Sequence, residues 1–268
     1  MIASQVYDGV TQIRMSREMD GKPVYWVAAY LIDGMLVDTG CSHTSEELAA
    51  FLEGKNLRFV VNTHYHEDHI GGNHDIMTRY GIDICAHSVS IPLIGQRFDL
   101  YPYQEIAWGY PVPTTVQPVP PIIKTDHYEF QVIETPGHSK DHICLVELSK
   151  GWCFSGDLFA RETPKFIRPE ENIREIIHSM NEIIELPMGK LILFTAVGKI
   201  IEDGRKALKD CIAYLIGLAE RVKGMERSGS TLDDIVNKIF GGENAFAELT
   251  NGQFSTNSLV RSLLKTMP

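Results

Sequence analysis

The sequence of 268 residues has no uninterrupted apolar run of the roughly 20 residues that cross a bilayer. Residues 1–10 also lack the basic segment followed by an apolar stretch that marks a secretory signal peptide. These absences predict a protein of the cytoplasm that does not interact with membranes. With 44% hydrophobic and 22% charged residues, the composition is that of an ordinary globular protein with a sizeable core.

Cysteine is scarce: the chain has five cysteines, an odd number, and no CxxC motif. This pattern favours reduced thiols in a reducing compartment over a disulfide framework. Most of the thiols are expected to be small apolar core residues. The cysteines are Cys41, Cys85, Cys144, Cys153 and Cys211.

Basic residues are outnumbered, with 25 Lys and Arg against 35 Asp and Glu, which gives a formal net charge of −10. Because an acidic surface repels phosphate backbones, nucleic acid is not an expected partner. The sequence also lacks the Ser-His-Asp order and the nucleophile elbow of covalent hydrolases, and no cysteine lies in a nucleophile motif. Hydrolysis through a covalent intermediate is therefore not expected.

Apolar segments and turn signals divide the chain into two parts. Asp33-Gly34, between hydrophobic runs in residues 24–38, predicts a β-hairpin. From Asp203 onward the pattern is helical only. We therefore expect an α/β domain over residues 1–202 and a C-terminal helical extension over residues 203–268. Further strands are predicted at residues 58–63, 82–86, 128–134, 143–148, 152–155 and 191–195, and helices at residues 44–53, 70–80, 174–186, 205–223, 231–240 and 255–265.

Residues 100–121 interrupt this pattern with six prolines and four large aromatic residues. Proline at this density predicts that the segment contains neither a regular helix nor a central strand. A long ordered loop is expected, either with a function or as a surface excursion without one. Its aromatic residues either form the wall of an apolar substrate pocket or pack on the extension or another subunit. They are Tyr101, Tyr103, Trp108 and Tyr110.

The densest group of potential metal ligands is the segment THYHEDH at residues 63–69, which ends a predicted strand. His64 and His66 are two residues apart, so both rings can face the same side at the end of a strand. Asp68 and His69 lie at the turn into the next helix and can face the same cavity. Imidazole and carboxylate ligands suit zinc, iron or manganese. A polar loop that is merely rich in histidine is disfavoured after a buried strand.

The motif HxHxDH at residues 64–69, followed closely by two glycines, resembles the signature of the metallo-β-lactamase superfamily. Three further segments occur in that family's order: DTG at residues 38–40, TPGHS at residues 135–139 and FSGD at residues 154–157. The resemblance covers about residues 5–200. It implies an α/β fold, a four-layer αββα sandwich with metals at one edge of the two sheets. It also implies that the helical extension caps the active site or forms a homodimer interface.

The resemblance further implies a centre with two metal sites. The expected ligands are His64, His66 and His138 for the first metal, Asp68 and His69 for the second, and Asp157 for both. Asp38 is expected to orient a ligand by hydrogen bonding. The expected cofactor is one or two Zn²⁺ ions, with iron or manganese as alternatives.

One position departs from the family's pattern. The second site is usually completed by a histidine after the last core strand, and Val197 stands at the matching position. Valine cannot bind a metal, and no other histidine lies near the chain's last predicted strand. The departure implies a mononuclear enzyme, a dinuclear enzyme with a weakly bound second metal, or a protein with altered or lost activity.

The expected chemistry follows from the metal. A bound metal lowers the pKa of its water from ~15.7 toward ~7 and polarises a carbonyl or phosphoryl oxygen. Asp68 can orient the hydroxide and pass a proton to the leaving group. The favoured function is metal-dependent hydrolysis of a small ester-like substrate, a lactone or a thioester. Three alternatives stay open: phosphodiester or phosphotriester hydrolysis, a regulatory or binding protein with reduced turnover, and redox chemistry at a di-iron centre.

Cationic side chains follow both His138 and Asp157. Such side chains can hold a carboxylate or phosphate of a small-molecule substrate. They can equally form a solvated basic surface, and only their position relative to the metals distinguishes these alternatives. The candidates are Lys140, Arg161, Lys165 and Arg168.

Overall fold

The computed structural model describes residues 1–97 and 99–266. Met267 and Pro268, at the end of the predicted extension, lie outside the described residues. The strands of the described part form a seven-stranded sheet, a six-stranded sheet and a two-stranded ribbon. They are β1 (Ile2–Tyr7), β2 (Val10–Met15), β3 (Glu18–Met19), β4 (Lys22–Pro23), β5 (Val27–Ile32), β6 (Met35–Val37), β7 (Phe59–Val61), β8 (Asp83–Ala86), β9 (Gln117–Pro118), β10 (Ile122–Lys124), β11 (Glu129–Glu134), β12 (Ile143–Glu147), β13 (Trp152–Gly156), β14 (Ile192–Thr195) and β15 (Ile200–Ile201).

Helices separate many of these strands and form all the regular elements described after β15. Within residues 1–97 and 99–266, no helix is both long enough and apolar enough to cross a membrane. The helices are α1 (Ser45–Phe51), α2 (Glu67–Ile70), α3 (Asn73–Tyr80), α4 (Ile91–Ile94), α5 (Pro102–Ala107), α6 (Ile173–Glu185), α7 (Gly204–Arg227), α8 (Leu232–Phe240), α9 (Ala245–Leu249) and α10 (Thr256–Lys265), with a 3-10 turn at Ser42–Thr44.

Three clusters of buried side chains separate four layers. The first joins helices α1 and α3 to the seven-stranded sheet and includes Leu48 and Ile76. The second joins the two sheets and includes Tyr30 and Phe154. The third joins the outer face of the six-stranded sheet, with Leu193, to helices α6, α7, α8 and α10. Because both faces of the inner strands are covered, β12 and β13 are buried along their whole length.

The predicted hairpin at Asp33-Gly34 is present, with β5 and β6 paired antiparallel. Asp33 and Gly34 have φ of 47° and 84°, the positive values of a tight hairpin turn. The same dipeptide at Asp8-Gly9 joins β1 to β2, with φ of 49° and 85°. The N-terminal hairpin was missed from the sequence, although Asp8-Gly9 carries the same turn signal.

Neighbouring parallel strands bring distant segments to one edge of the sandwich. β6, β7 and β8 are mutually parallel neighbours in the seven-stranded sheet, and β13 is parallel to β14 in the six-stranded sheet. Segments that follow such strands lie side by side, and in open α/β sheets this carboxyl end is the usual ligand-binding edge.

The prediction that residues 100–121 contain no helix is wrong, because α5 lies within them. Pro102 is the first residue of α5, where its missing N–H costs no helical hydrogen bond and its φ already suits a helix. The backbone N–H of Tyr101 donates to Gln104 Oε1 over 2.8 Å at the start of this helix. Pro118 lies in β9, the edge strand of its sheet, where proline is tolerated.

The C-terminal helices share their core with the six-stranded sheet. Leu208, Leu215, Leu259 and Leu263 belong to the same buried cluster as Leu193. The chain just before α10 also forms a bridge to the segment after β13, between Ser255 and Ile167. These contacts pack the extension against the six-stranded sheet and against the segment after β13.

Candidate metal centre

The candidate ligands and Asp38, which is expected to orient one of them, come from four segments at the carboxyl edge of the two sheets. Asp38 follows β6, and residues 64–69 follow β7. His138 lies in the connection between β11 and β12, and Asp157 follows β13. The parallel pairing of β6 with β7, and the packing of the two sheets, bring these segments together.

His64, His66 and His138 form one buried group. His66 Nδ1 lies 2.9 Å from His64 Nε2 and 3.0 Å from His138 Nε2. The nitrogens that the three residues offer all lie within 4.8 Å of one another. Three convergent imidazole nitrogens are the arrangement found in metal sites with three histidine ligands.

A second group, formed by His64, His69 and Asp157, lies beside the first and shares His64 with it. Asp68 lies next to this second group. His69 Nε2 is 3.7 Å from Asp157 Oδ2 and 3.9 Å from Asp68 Oδ1. Asp157 Oδ2 is also 3.3 Å from His138 Nε2, so this carboxylate stands between the two groups. Among the described residues, His69 Nε2 and Asp68 Oδ1 are buried and have no hydrogen-bond partner. Buried polar atoms nearly always have a partner, so these two atoms fit a site for a bound ion.

Asp38 contacts both ends of the segment at residues 63–69 from behind. Its carboxylate accepts hydrogen bonds from the backbone N–H of Thr63 (2.7 Å) and from the Thr63 hydroxyl (2.9 Å). It also lies 2.8 Å from His69 Nδ1. A contact at Nδ1 leaves Nε2 of His69 facing the second group, which is what the predicted orienting role requires.

Glycines of the motifs permit close approach of the backbone. A Cβ atom at Gly71 would lie 2.3 Å from the backbone nitrogen of Ser42. Gly156 has φ of +47°, and a Cβ atom there would lie 2.6 Å from His142 Nε2. That nitrogen accepts a hydrogen bond from the backbone N–H of Asp157 over 3.0 Å. Glycine at position 156 therefore allows His142 to fix the backbone of Asp157.

Burial and neighbouring charges shift the pKa values of the ionisable groups at the centre, some downward and some upward. Burial lowers the pKa of His64 and of His66, and nearby positive charge lowers both further. Both rings are therefore neutral, the form that binds a metal. Burial raises the pKa of Asp68 to about 6, although His69 opposes this. Burial also opposes the charged form of His69, but Asp38 and Asp68 outweigh that effect and raise its pKa.

Two acidic residues that could not be predicted from the sequence support the centre. Asp141 Oδ2 is buried and accepts hydrogen bonds from the Tyr65 backbone N–H (2.9 Å) and from a serine hydroxyl. Glu171 Oε1 lies 3.6 Å from His138 Nδ1 and accepts from the backbone N–H of Arg168 over 3.0 Å. No local motif marks either residue, because their main partners are distant in sequence or contribute only backbone atoms.

A cleft opens beside the two groups, and Asp68, His138 and Asp157 are among the residues that line it. Val197 forms part of its wall and follows β14, the parallel neighbour of the strand that ends before Asp157. Its side chain offers no ligand atom to the second group. The other lining residues are mainly apolar and include Leu158, Phe166, Ile173, Ile176, Met180 and Leu215.

The eight substrate-binding candidates lie in different places. Trp108, Arg161 and Arg168 line the cleft. Tyr103 packs against Trp108, with ring centroids 5.9 Å apart. Tyr101 stacks on Tyr103, Tyr110 contacts Arg97, Lys140 is exposed, and Lys165 lines a separate cavity. A binding role for any of the eight remains a prediction.

The donor set fits a divalent cation. The first group offers three imidazole nitrogens, two of them on rings that burial keeps neutral. The second group offers carboxylate oxygens and the Nε2 atom of His69. Imidazole and carboxylate ligands in this combination suit zinc and also iron or manganese.

The family model of the metallo-beta-lactamase superfamily matches residues 27–208. The chain belongs to this superfamily. The match begins at β5, ends within α7 and includes every candidate ligand segment. The resemblance drawn from the sequence is confirmed, and so is the α/β sandwich of this superfamily.

Curated relatives in the superfamily are similar over part of their length. A hydroxyacylglutathione hydrolase of Pelagibacter ubique is 27% identical over 140 residues, 51% of this chain and 51% of the relative. A hydroxyacylglutathione hydrolase of Vibrio cholerae is 28% identical over 181 residues, 66% of this chain and 62% of the relative. The probable metallo-hydrolase YybB of Bacillus subtilis is 29% identical over 57% of this chain and 68% of its own length. The chain thus spans between half and two thirds of the two hydroxyacylglutathione hydrolases.

Solved structures show the same fold. A beta-lactamase domain protein from Burkholderia ambifaria superposes with a TM-score of 0.75 at 17% identity, over 97% of this chain and 87% of that chain. The protein TTHA1623, solved in a di-iron-bound form, superposes with a TM-score of 0.55 at 22% identity, over 69% of this chain and 94% of that chain. At these identities the likeness concerns the fold alone.

Proposed function

We propose that this protein is a metal-dependent hydrolase of a small ester-like substrate, and that the substrate is a thioester. The observation that carries the proposal is the pair of adjoining ligand groups, from which His138 and Asp157 line one cleft. The similarity to hydroxyacylglutathione hydrolases favours a thioester over a lactone, because an acylated glutathione is a thioester.

The proposed metal ligands are the residues of the two groups together with Asp68, which lies beside His69. The first ion is held by His64, His66 and His138, and the second site consists of Asp68, His69 and the shared Asp157. Val197 leaves the second site with three protein groups, so we expect an ion there to be bound more weakly. Zn²⁺ is the proposed ion, and the di-iron form of TTHA1623 supports iron as the alternative.

Residues of the chain prepare the reaction around that centre. A divalent ion, when bound, supplies a water of lowered pKa and polarises the substrate carbonyl. Asp68 Oδ1 has no hydrogen-bond partner among the described residues. This oxygen can therefore orient the attacking water and carry a proton. Hydrolysis adds the water oxygen to the acyl carbon and breaks the C–S bond, and the thiolate takes up a proton.

The C-terminal extension is proposed to act as the cap of the cleft. Phe254, just before α10, lines the cleft, and its neighbour Ser255 bridges to Ile167. Phe254 also packs on Phe166 of the lining, with ring centroids 5.9 Å apart. This placement favours a cap over a role confined to a dimer interface.

A substrate panel tests the proposal. Thioesters of N-acetylcysteamine, a chromogenic lactone and an aryl phosphodiester are assayed with metal-loaded protein, after chelation and after metal is restored. We expect thioester hydrolysis that chelation abolishes and metal restores. The His66→Ala variant is expected to be inactive, whereas His178→Ala, at an exposed histidine on α6, keeps full activity. Faster turnover of the phosphodiester, or no turnover while the metal is bound, would contradict the proposal.

A further inference from the structure

The cleft beside the metal centre extends into the layer of helices α6 and α7. Its lining includes Ile176 and Met180 on α6 and Cys211 and Leu215 on α7. These four side chains are between 1% and 6% exposed and belong to the third buried cluster. Since they are buried in the core and also border the cleft, the cleft enters the core where the two helices meet.

This apolar part of the cleft adjoins the metal ligands. Gly137 precedes His138, and a Cβ atom at Gly137 would lie 2.5 Å from the backbone nitrogen of Ile176 and 2.7 Å from its Cγ1 atom. Only glycine allows so close a contact between α6 and the segment that carries His138. Leu158, which directly follows Asp157, also lines the cleft. The apolar lining therefore begins at residues that contact or follow the metal-ligand segments.

Unfilled space beside apolar core residues calls for a physical reason. Protein interiors are packed as closely as organic crystals, and a cavity lowers stability. An apolar cavity stays free of water and binds apolar molecules instead. The cleft encloses about 120 Å³. Because a cavity of ~150 Å³ lined by Leu, Ile and Phe binds benzene, this space fits a hydrocarbon chain of roughly five carbons.

The lining also indicates which arm of a thioester enters. Ile176 and Leu215 have no polar side-chain atom, and the Met180 sulfur is only a weak acceptor. Cys211 Sγ already donates to the carbonyl oxygen of Arg161 over 3.6 Å. Burying a peptide or charged group without a partner is costly. A thiol carrier such as glutathione contains such groups, whereas an acyl arm can be pure hydrocarbon, so the acyl arm is the one that fits.

We infer that the space between α6 and α7 binds the hydrocarbon chain of the acyl group while the thioester carbonyl lies at the metal centre. The substrate class is then a thioester of an unbranched acyl group of roughly six carbons, the carbonyl included. The inference rests on the proposed function, because it names the substrate class of the same cleft. Met180, Cys211 and Leu215 determine the chain length, whereas the metal ligands determine the chemistry.

A chain-length series tests the inference. Acetyl, butanoyl, hexanoyl, octanoyl and decanoyl thioesters of N-acetylcysteamine are assayed with metal-loaded protein. We expect kcat/KM to rise about fourfold for each added methylene up to hexanoyl, as for burial of a CH₂ group, and to stop rising from octanoyl onward. Equal values from acetyl to hexanoyl would overturn the inference while the proposed function stands. A steady rise through decanoyl would overturn it too, because the chain would then lie on an open surface.

Two substitutions are expected to shift the preferred chain length in opposite directions. Leu215→Ala enlarges the space and should raise the ratio of octanoyl to hexanoyl kcat/KM about tenfold. Cys211→Leu fills the space and should lower the ratio of hexanoyl to acetyl kcat/KM about tenfold.

Leu208→Ala is the matched control for these substitutions. Leu208 is as deeply buried on α7 as Leu215 and belongs to the same cluster, but it is not among the residues that line the cleft. We expect this variant to keep the wild-type chain-length preference. An unchanged preference in both Leu215→Ala and Cys211→Leu, or the same shift in Leu208→Ala as in Leu215→Ala, would overturn the inference.

Direct binding keeps the test independent of turnover and of the folding of the variants. Hexanol is added to wild-type protein labelled at the methionine methyl groups, and the methyl signals are followed by NMR. We expect a saturable shift at Met180 that exceeds the shift at Met77, which packs against the first cluster on α3. Such a shift supports the inference even if no thioester is hydrolysed, in which case only the proposed function fails. No shift at Met180 up to the solubility limit of hexanol overturns the inference.

Discussion

Glu171 shows how a single residue outside the motifs can control the centre. His138 directs Nε2 toward His66 and Nδ1 toward Glu171, whose Oε1 lies 3.6 Å away. Burial opposes the charged form of His138, but Glu171 and Asp157 outweigh that effect and raise its pKa. A carboxylate behind a ligating histidine fixes the ring and its tautomer and makes it a better ligand.

We therefore expect Glu171→Gln to weaken binding of the first metal about 10-fold to 100-fold, as is usual when such an outer partner is lost. Competition with a chromogenic chelator measures the affinity. Glu170→Gln, at the exposed neighbouring residue, is the control and keeps the wild-type affinity. Equal affinities in the two variants would mean that Glu171 does not position His138.

The individual residues that could be predicted are those within local motifs. The spacing of His64, His66 and His69 and the segment around His138 identified positions that the fold brings together. Glu171 and Gln104 were not predicted, because their contacts depend on how separate segments pack. Gln104 reaches the metal loop only because α5 forms within a proline-rich segment.

The N-terminus of helix α10 is bound by the carboxylate of Glu243. Glu243, an exposed residue, accepts hydrogen bonds from the Ser255 hydroxyl (2.7 Å) and from the backbone N–H groups of Thr256 (2.6 Å) and Asn257 (3.0 Å). Partial burial opposes ionisation of Glu243, but these donors outweigh it and lower its pKa from 4.5 to about 2. An ionised carboxylate at a helix N-terminus stabilises the helix.

The sign of the pH effect follows from the lowered pKa. The stabilisation by Glu243 is fully present above pH 4.5 and is lost as the pH falls toward 2. We expect Glu243→Gln to weaken amide protection in α10 at pH 7 by roughly 1 kcal/mol, the usual value of a helix cap in solvent. Wild type and variant should converge near pH 2, as measured by hydrogen exchange. Glu248→Gln on α9 is the control, and protection in Glu243→Gln that equals the control at pH 7 would refute this role.

Helices with a strong hydrophobic periodicity and hairpins with a turn dipeptide could be predicted from the sequence. Short helices could not. Helix α6 and the hairpin at Asp33-Gly34 lie where the pattern placed them. The prolines around helix α5 argue against a helix, although Pro102 at the first helical position is favourable. Helix α9 has only five residues and buries none, so it leaves no hydrophobic pattern to detect.

For the whole molecule, the extension from residue 203 completes the third core cluster. Leu259 and Leu263 on α10 are fully buried in the cluster that contains Leu193 of β14. Apolar side chains from residues 1–202 and from the extension fill one core. The boundary between residues 202 and 203, which follows from the change to a purely helical pattern, therefore does not separate two cores. The change of pattern is visible in the sequence, whereas shared burial depends on the packing of distant elements.

We expect Leu259→Ala to lower the free energy of unfolding by roughly 2–5 kcal/mol, because it leaves a cavity in this shared core. Leu249→Ala, at a side chain that is 73% exposed on α9, should change it by less than about 0.5 kcal/mol. Urea unfolding followed by circular dichroism measures both. If the two variants are equally stable, the extension does not contribute to the core of the whole molecule.

The account as a whole depends on the metal centre, and metal content per chain tests it most directly. Elemental analysis is made on wild-type protein purified without added metal, together with the Val197→His variant. Three imidazoles in the first group and a weakened second site predict about one tightly bound ion per chain in the wild-type protein and about two in Val197→His. A wild-type protein that retains no divalent ion, even after loading and dialysis, would contradict the account.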